Sequence, residues 1–475
     1  DKEWGNTEVY KGKKMMVEYT DPNPFKPFHI GHLMTNAIGE SLARLIQSSG
    51  AAVIRANYQG DVGAHVAKAI YGLQNKGMPD ESLSVSEQAG YIGECYVYGS
   101  DVYENDVEAK NDIDKINKQV YERNEEEINK LYDWGRKITL EAFEEIYKTL
   151  GTKFDYYFFE SEMALKGSEL VKEYLTKGVF EESEGAIVFK AEKYNPKLHT
   201  RVFITSQGLP TYETKEIGLT KTKFEKENPD ISIVITAVEQ KDYMAVATEA
   251  MRQIDLSLAE RMKHITHGMM RFASGKMSSR KGNVITGESL INDTIELVKN
   301  KIENRDSAIT ETDAIATNSS LAKVVAVSAI KFAILRQSIG GDIIYDENKA
   351  ISFEGDSGPY LQYTAVRAGA LLEKGKGLDI SPSIENPVSG TETLERLIAR
   401  FLEVCSRAQT EWAPHYVVTY LCELAQEFNS WYGQGKILDS EDVSGAAYRL
   451  SVVSATRQTL INGLWVLGIE APERM

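Results

Sequence analysis

The fold is decided by residues 17–50, which read VEYTDPNPFKPFHIGHLMTNAIGESLARLIQSSG. An apolar run at residues 15–19 predicts a buried strand, and the three prolines that follow it exclude helix until Phe28. Apolar residues then recur at helical spacing, namely Leu33, Ala37, Ile38, Leu42 and Leu45. The predicted helix ends at Gly50, a typical helix stop. Residues 53–58 read as a second strand. This order predicts the opening of a right-handed parallel α/β unit.

Two histidines, His29 and His32, flank Gly31 at the start of the predicted helix. Alone, they could be solvated side chains of a turn. In a parallel α/β unit, however, ligands bind beyond the strand ends and anions bind at helix N-termini. Imidazoles can donate hydrogen bonds to phosphate oxygens, and a glycine lets a planar ring approach the backbone. The loop therefore predicts a nucleotide site, although it is neither a P-loop nor a GxGxxG fingerprint.

Composition sets broad limits on the class of protein. The chain has 475 residues, 42% of them hydrophobic, which is enough for two or three domains with full cores. It shows no apolar run of membrane-spanning length and no secretory signal, so we expect a soluble, cytoplasmic protein without membrane contacts. The three cysteines lack CxxC spacing and predict neither disulfides nor a zinc site. The net charge of -16 argues against non-specific nucleic-acid binding but leaves room for a local basic face.

The pattern along the chain predicts two domains. Residues 81–150 are charged and helical in pattern, β-rich pieces follow to about residue 200, and DISIVITAVEQ then predicts a buried parallel strand that ends near Gln240. We therefore expect a split α/β domain over residues 1–310, with an insertion at about 81–200. From 311 to 475 the pattern is helical, with two apolar stripes: Leu394, Leu397, Ile398, Phe401, Leu402 and Cys405, then Tyr420, Leu421, Leu424, Ala425 and Phe428.

A second motif, GKMSSRKGN at residues 275–283, is a glycine-flanked loop with three cations. By itself it could be an ordinary basic surface loop. Downstream of the histidine loop in an α/β domain, it predicts a cationic clamp for a triphosphate. The reaction that suits such a clamp is attack by a carboxylate on the α-phosphate of ATP, with positive charge neutralising the leaving phosphates.

Seven motifs together resemble the arginyl-tRNA synthetases of class I, in the order found in that family. They are VEYTDPNPFKPFHIGH, NYQGDVG, FDYYFFES, TYETKEI, KMSSRKGN, GPYLQYTAVRA and the terminal LGIEAPERM. The resemblance implies a Rossmann-type catalytic domain of the HUP class followed by an all-α anticodon-binding bundle. It also implies activation of L-arginine with ATP to arginyl-adenylate, then transfer to the 3′ end of tRNA(Arg) with release of AMP and diphosphate.

The resemblance further implies ATP as a substrate with Mg²⁺, no zinc or other tightly bound cofactor, and a monomer whose partners are L-arginine, ATP and tRNA(Arg). The family usually carries an additional N-terminal domain that binds the tRNA elbow. Only residues 1–14 precede the catalytic motifs here, so we expect that domain to be missing from this chain.

Site residues are implied where this sequence matches the family motifs. The catalytic group is His29, His32, Lys26, Lys276, Arg280 and Lys281. Arginine is expected to contact Glu18, Asn23, His29, Glu160, Tyr212, Glu216 and Gln240. ATP is expected to contact His29, Gly31, His32, Gly268, Met269, Lys276, Met277 and Ser278. The tRNA is expected to contact Tyr360, Gln362, Tyr363, Arg367, Trp431 and Tyr432, because aromatic rings beside cations suit unstacked bases.

Three positions depart from the family pattern. Glu216 stands where aspartate is usual, Tyr243 stands where histidine is common, and Ser279 replaces the second lysine of the clamp. Family members that lack the second lysine of the clamp have a lysine just ahead of the histidine loop. The resemblance implies that this lysine, here Lys26, supplies the missing positive charge.

Two other interpretations stay open at the level of sequence. One is a different HxGH enzyme, either another class I synthetase or a small nucleotidyl transferase. The small transferases lack a helical tail of this length, and the cysteine- and methionine-type synthetases bring zinc ligands. The other is an inactive paralogue that only binds tRNA, against which the intact histidine and lysine motifs argue.

Overall fold

The computed structural model describes residues 2–273, 285–303 and 311–475. The strands in chain order are β1 (Lys14–Glu18), β2 (Ala52–Gln59), β3 (Tyr156–Phe159), β4 (Glu181–Ser183), β5 (Ala186–Phe189), β6 (Arg201–Ile204), β7 (Ile231–Ala237), β8 (Met262–His267), β9 (Met270–Phe272) and β10 (Ile343–Tyr345). The helices are α1 (Ile30–Gln47), α2 (Ala64–Lys76), α3 (Val85–Asn105), α4 (Val107–Glu122), α5 (Glu126–Leu150), α6 (Glu160–Thr176), α7 (Tyr212–Glu227), α8 (Lys241–Ile254), α9 (Leu256–Arg261), α10 (Gly287–Glu303), α11 (Glu311–Leu335), α12 (Glu347–Ala350), α13 (Gly358–Gly377), α14 (Glu392–Glu411), α15 (His415–Gln434) and α16 (Val443–Val466).

A five-stranded parallel sheet forms the core of the first part of the chain. Its order is β3-β2-β1-β7-β8, which is 3-2-1-4-5 when only its own strands are counted. β1 lies in the middle, and its residues from Met15 to Glu18 are buried. The order reverses between β1 and β7, and ligands of open α/β sheets bind beyond the carboxyl ends at such a switch point. The predicted Rossmann-type fold is confirmed.

The insertion predicted at about 81–200 differs from the structure in one respect. β3 lies inside that range but pairs in parallel with β2, so it belongs to the main sheet. Two separate excursions therefore leave the sheet: helices α2–α5, which pack on one another, and α6 with the antiparallel β4-β5-β6 sheet. Four aromatic residues in a row predict a strand without indicating which sheet it joins, and this is why the sequence did not separate the two excursions.

The C-terminal part of the chain is a bundle of α13, α14, α15 and α16, as predicted. The second predicted stripe is buried throughout, whereas Leu402 of the first stripe is 40% exposed. The region is also not entirely helical, because β10 pairs in parallel with β9 from the first part of the chain. None of the helices in the described ranges combines the length and the apolar character that crossing a membrane requires.

Helix α1 connects the sheet to the C-terminal bundle. It packs against β1, β2 and β7 and also contacts α10, α11, α14 and α16. Near its C-terminal end, Ser41 Oγ donates to the carbonyl of Val466 at 3.0 Å, and Arg44 donates to that of Trp465 at 3.1 Å. The fully buried Lys331 on α11 donates to the carbonyls of Leu150 and Gly468, both at 2.6 Å. Side chains of α1 and α11 thus donate hydrogen bonds to carbonyl groups at and just after the C-terminal end of α16, where the helix itself has no N–H donors left.

The ammonium group of Lys331 predicts a measurable contribution to stability. We expect Lys331→Met to lower the free energy of unfolding by about 2–4 kcal/mol, because it leaves two buried carbonyls without a donor. Lys349→Met is the matched control, since the Lys349 side chain is 86% exposed and its removal should change stability by about 0.5 kcal/mol or less. Equal unfolding midpoints in denaturant for the two variants would contradict the role of Lys331.

Candidate active site

A cavity of about 350 Å³ opens beyond the carboxyl ends of β1, β2 and β7, next to the N-terminus of α1. Nine of the residues predicted from the sequence line it: Glu18, Asn23, His29, Gly31, His32, Glu160, Tyr212, Glu216 and Gln240. Glu18 ends β1, the next residues come from the loop after β1 and from α1, α6 and α7, and Gln240 ends a short 3-10 turn after β7. The structure therefore brings together side chains that lie more than 200 positions apart in the sequence.

The two histidines form one wall of the cavity. Their rings are stacked with centroids 3.4 Å apart, and Nδ1 of His32 accepts the backbone N–H of His29 at 3.2 Å. Because Nδ1 is the acceptor, a neutral His32 carries its proton on Nε2 and can donate there. Burial, with the nearby charge of Lys26, lowers the pKa of His29 to about 4, and burial also lowers the pKa of His32. Both imidazoles are therefore neutral donors at pH 7.

Close backbone approaches require two of the glycines in this site. A Cβ atom on Gly31 would lie 2.9 Å from the ring of His29. A Cβ atom on Gly60, at the end of β2, would lie 2.1 Å from Oδ1 of Asn23 and 3.1 Å from Oε1 of Glu160. Since real Cβ atoms do not come this close to other atoms, any larger residue at either position would displace a cavity side chain.

Asp61 fixes the segment that carries Glu160. Its Oδ1 accepts the backbone N–H of Ser161 at 2.9 Å, and its Oδ2 accepts the Ser161 hydroxyl at 2.8 Å and Nε of Arg136 at 2.9 Å. Asp61 itself is fully buried. The end of β2 is thereby tied to the first turn of α6, where Glu160 is the first helical residue.

The end of the cavity away from the histidines is acidic. Two of its carboxylates have their own lysine: Lys223 lies 2.5 Å from Oε2 of Glu18, and Lys215 lies 2.7 Å from Oε2 of Glu160. Glu216 is different, because its buried Oε1 has no hydrogen-bond partner among the described residues. Burial raises the pKa of Glu216 to about 7, an effect that Lys223 opposes and Glu18 and Glu160 reinforce. Within the described ranges, Glu216 is thus a buried carboxyl group that forms no ion pair of its own.

Three predicted residues, Lys26, Gly268 and Met269, do not line the cavity. Lys26 has its ammonium group 5.2 Å from the centroid of the Tyr96 ring and is not among the lining residues. Met269 is half exposed, and Gly268 precedes it at the end of β8. Lys276, Met277, Ser278, Ser279, Arg280 and Lys281 lie outside the described residues. The chain after them returns to the histidine loop, since Gly287 donates its N–H to the carbonyl of Phe28 at 2.8 Å.

On the C-terminal bundle, the structure brings together four of the six residues predicted to contact tRNA. The guanidinium of Arg367 lies 4.7 Å from the ring centroid of Tyr363 and 4.9 Å from that of Tyr432. Asn429 joins this group, because it accepts from Arg367 and donates to the Tyr360 hydroxyl at 3.0 Å. We call Tyr360, Tyr363, Arg367 and Tyr432 the aromatic face.

The other two residues differ from that expectation. Gln362 is fully buried and donates to the backbone carbonyl of Glu470 at 2.7 Å, so its side chain does not reach the surface. Trp431 is half buried, packs against Phe428 with ring centroids 6.1 Å apart, and contacts the core. The prediction that the Gln362 side chain contacts RNA is therefore wrong. Trp431 packs against the core, whether or not it also contacts RNA.

Comparison with known proteins agrees with this geometry. A family model described as tRNA synthetases class I (R), catalytic domain, matches residues 1–346, and one described as DALR anticodon binding domain matches residues 361–475. The chain belongs to the class I arginyl-tRNA synthetase family. The arginine–tRNA ligase of Clostridium perfringens is 30% identical over 99% of this chain and 82% of its own length. That of Borreliella burgdorferi is 29% identical over 98% of this chain and 80% of its own length.

A solved structure shares the fold of the whole chain. The arginyl-tRNA synthetase of Thermus thermophilus superposes with a TM-score of 0.81, covering 99% of this chain and 84% of that one at 22% identity.

The structure of the present chain also shows site residues that the sequence analysis missed. The cavity is also lined by Asp21, Tyr58 and His267, and the buried lysines Lys215 and Lys223 balance its carboxylates. Asp21, Tyr58 and Lys215 lie within motifs quoted above, so the sequence carried a signal for these three.

The buried carboxyl of Glu216 predicts a specific dependence of stability on pH. Its pKa is about 7 in the folded chain, whereas an exposed glutamate titrates near 4.5, so the folded state binds the additional proton between these values. The free energy of unfolding of the wild type should therefore fall by about 3 kcal/mol relative to Glu216→Gln as the pH rises from about 4.5 to 7. Urea unfolding of both proteins across this range measures the difference, and parallel curves would contradict it.

Proposed function

We propose that this chain is an arginine–tRNA ligase, which activates L-arginine with ATP and transfers it to the 3′ end of tRNA(Arg). The observation that carries the proposal is the position of Glu216, a buried carboxyl group without an ion pair among the described residues, in the same cavity as the neutral donors His29 and His32. A guanidinium group is planar, always charged and rich in donors, and it pairs with such a carboxylate. Membership of the arginyl-tRNA synthetase family supports the same assignment.

In the first step, the α-carboxylate of arginine attacks the α-phosphate of ATP and diphosphate leaves. Nε2–H of His32, with the imidazole of His29, would donate to phosphate oxygens at the N-terminus of α1, where negative charge is favoured. Lys26, Lys276, Arg280 and Lys281 would neutralise the charge that moves onto the leaving diphosphate. Among the described residues there is no group of three or more side chains suited to hold a metal ion, so Mg²⁺ would enter with the phosphates of ATP.

In the second step, a terminal hydroxyl of the tRNA attacks the activated carbonyl carbon and AMP leaves. The aromatic face would stack unpaired bases of the tRNA, with Arg367 between two rings, while the acidic chain as a whole repels RNA elsewhere. We further propose that the enzyme acts as a cytoplasmic monomer, with the catalytic domain over residues 1–310 and the anticodon-binding domain over residues 311–475.

The decisive experiment is aminoacylation of bulk tRNA with each of the twenty amino acids in the presence of ATP and Mg²⁺. We expect arginine alone to be transferred efficiently. Binding of tRNA without charging would identify an inactive paralogue, and charging with another amino acid would overturn the substrate assignment.

The pairing of the carboxylates predicts unequal effects on arginine binding. Glu216→Gln should raise the KM for arginine roughly ten- to a hundredfold, because it removes the carboxylate that has no other cation. Glu160→Gln should have a smaller effect, since Lys215 already neutralises Glu160. The control is Glu213→Gln on the same helix, where the carboxylate pairs with Arg201 at 2.8 Å and does not line the cavity. The KM for ATP should stay unchanged throughout, and equal effects of all three substitutions on arginine would contradict the assignment.

Because Ser279 stands where the family usually has a lysine, we predict that substitutions at positions 26 and 279 are energetically coupled. Lys26 lies between Phe25 and Pro27. Phe25 is fully buried at a φ of 66°, so the backbone of Lys26 is held near the histidine loop. Lys26→Met should reduce arginyl-adenylate formation severely, and adding Ser279→Lys should restore part of the rate. A coupling energy well above about 0.5 kcal/mol in the double-mutant cycle is expected, and simple additivity would mean that Lys276, Arg280 and Lys281 suffice.

The aromatic face predicts separate effects for two neighbouring residues. Tyr432→Ala should raise the KM for tRNA roughly tenfold or more with little change in stability, because the ring is 39% exposed and can stack on a base. Trp431→Ala should mainly lower the unfolding temperature, because its ring packs against the core. The KM for tRNA and thermal unfolding, measured for both variants, test this division, and an unchanged KM in Tyr432→Ala would remove that residue from the RNA contacts.

A further inference from the structure

Beyond the two histidines, one part of the cavity carries no charge, at the carboxyl ends of β7 and β8. It is lined by Thr236, Ala237 and His267. Burial lowers the pKa of His267, an effect that its hydrogen bond to Gly268 opposes, so the imidazole is neutral at pH 7. In the proposed reaction, arginine would occupy the acidic end and the phosphates would lie beside the histidines. The nucleoside part of ATP would therefore occupy the uncharged part.

His267 offers an unpaired hydrogen-bond acceptor in this wall. Its Nδ1 lies 2.7 Å from the carbonyl oxygen of Gly268. Because a carbonyl can only accept, Nδ1 carries the proton of the neutral ring and Nε2 keeps a lone pair. The side chain is 2% exposed, and its Nε2 has no hydrogen-bond partner among the described residues. A ligand that fits this part of the cavity should bring an N–H or O–H donor.

The peptide group between Gly268 and Met269 sets the direction of the His267 ring. Its carbonyl accepts Nδ1–H of His267, and its N–H donates to Oδ1 of Asp342 at 3.0 Å. Two successive hydrogen bonds thus connect the carboxylate of Asp342 to the imidazole. Hydrogen bonds that are linked in this way polarise and strengthen one another.

Asp342 belongs to the segment between α11 and α12, which packs closely on this peptide group. A Cβ atom on Gly268 would lie 2.5 Å from the carbonyl oxygen of Gly341. Ile343 donates its N–H to the carbonyl of Met269 at 2.8 Å. Both contacts involve backbone atoms of the segment, so they remain after a change of side chain. Asp342, by contrast, holds the peptide group with its carboxylate.

We propose that His267 is a specificity-determining residue that accepts a hydrogen bond from the nucleoside of ATP, and that Asp342 is the positioning residue that orients it. The donor is the amino group of adenine or a ribose hydroxyl. This proposal rests on the proposed function, because it takes ATP as the substrate and assigns the acidic end to arginine. Asp342 does not line the cavity, so it acts through the peptide group between Gly268 and Met269.

Four single substitutions separate these roles. His267→Phe removes the acceptor and keeps a flat ring. Asp342→Ala removes the acceptor of the peptide N–H, whereas Asp342→Asn keeps an oxygen in the same place. Arg271→Met is the matched control, because Arg271 lies 3.1 Å from Oδ2 of Asp342 and makes neither of the two hydrogen bonds. That ion pair is exposed to solvent and should contribute little.

We expect His267→Phe to raise the KM for ATP in adenylate formation, and the Kd for ATP alone, roughly tenfold. Asp342→Ala should raise both roughly three- to tenfold, and Asp342→Asn and Arg271→Met should raise them less than about twofold. Added to His267→Phe, Asp342→Ala should cost less than about twofold more, because no acceptor is left to orient. The KM for arginine should stay unchanged in every variant.

Four results would each overturn the proposal. Unchanged affinity for ATP in His267→Phe would remove His267 from the nucleotide site. Independent effects of the two substitutions in the double variant would mean that Asp342 does not act through His267. Equal weakening of ATP and arginine would indicate a general disturbance of the cavity. An effect of Arg271→Met as large as that of Asp342→Ala would assign the effect to the ion pair.

Nucleotide analogues identify the donor. Inosine triphosphate has an oxygen in place of the adenine amino group, and 2′-deoxy-ATP and 3′-deoxy-ATP each lack one ribose hydroxyl. The wild type should bind one of these less tightly than ATP, and His267→Phe should lose that preference. If His267→Phe keeps every preference of the wild type, the proposal fails. Binding of ATP alone needs no amino acid, so failure of the wild type to charge tRNA with arginine would refute the proposed function and leave this test intact.

Discussion

Helix α1 has to be buried on all sides while its first turn stays open to the cavity, and much of the structure follows from this constraint. From His32 to Ala43 every residue is buried, and Gly39 is needed because a Cβ there would lie 2.1 Å from the ring of Tyr19. The first backbone N–H groups of a helix have no partner earlier in the helix, and at α1 the His29 carbonyl accepts those of His32 and Leu33. The opposite end of α1 holds the last turn of α16. One helix thus joins the histidine end of the cavity to the C-terminal bundle.

The acidic end of the cavity opposes folding rather than supporting it. Buried carboxylates are costly unless each has a partner, and Glu216 has none in the described chain. Sites that violate the rules of a stable interior are where function is expected, because a ligand can supply what the protein lacks. The histidine end follows the opposite logic, since burial and the charge of Lys26 keep both imidazoles neutral. At pH 7 these two imidazoles therefore contribute no positive charge to the histidine end of the cavity.

Local periodicity was enough to predict β1, α1, β2 and the helical bundle, because each of these elements has a continuous apolar pattern. The resemblance to the family motifs, and not periodicity, predicted that the histidine loop and Glu216 belong to one site. The pattern could not show that Lys223, within the charged segment KTKFEKE, is only 1% exposed, because buried and solvated lysines look alike in sequence. Asp21 was missed because an aspartate before proline is the ordinary choice for a turn. Gln362 was misplaced because α13 has apolar residues on several faces, so spacing did not indicate its exposed side.

Charge alone cannot explain why this cavity would select arginine over lysine, since both amino acids carry two cations and one carboxylate. Shape has to make the distinction. Apart from Oε2 of Glu18, which contacts Lys223, the acidic end contains two buried oxygens without hydrogen-bond partners among the described residues, Oε1 of Glu216 and the hydroxyl of Tyr58. A guanidinium group spreads five N–H donors over a plane, whereas the ammonium of lysine is a compact charge at the end of a chain. With lysine bound, a single nitrogen would have to serve both oxygens, and each oxygen that it did not reach would cost about 1–3 kcal/mol. A site whose acceptors require ligand donors in several directions rejects a ligand that lacks those donors. This rejection is stronger than that of a wrongly sized ligand by a purely apolar pocket.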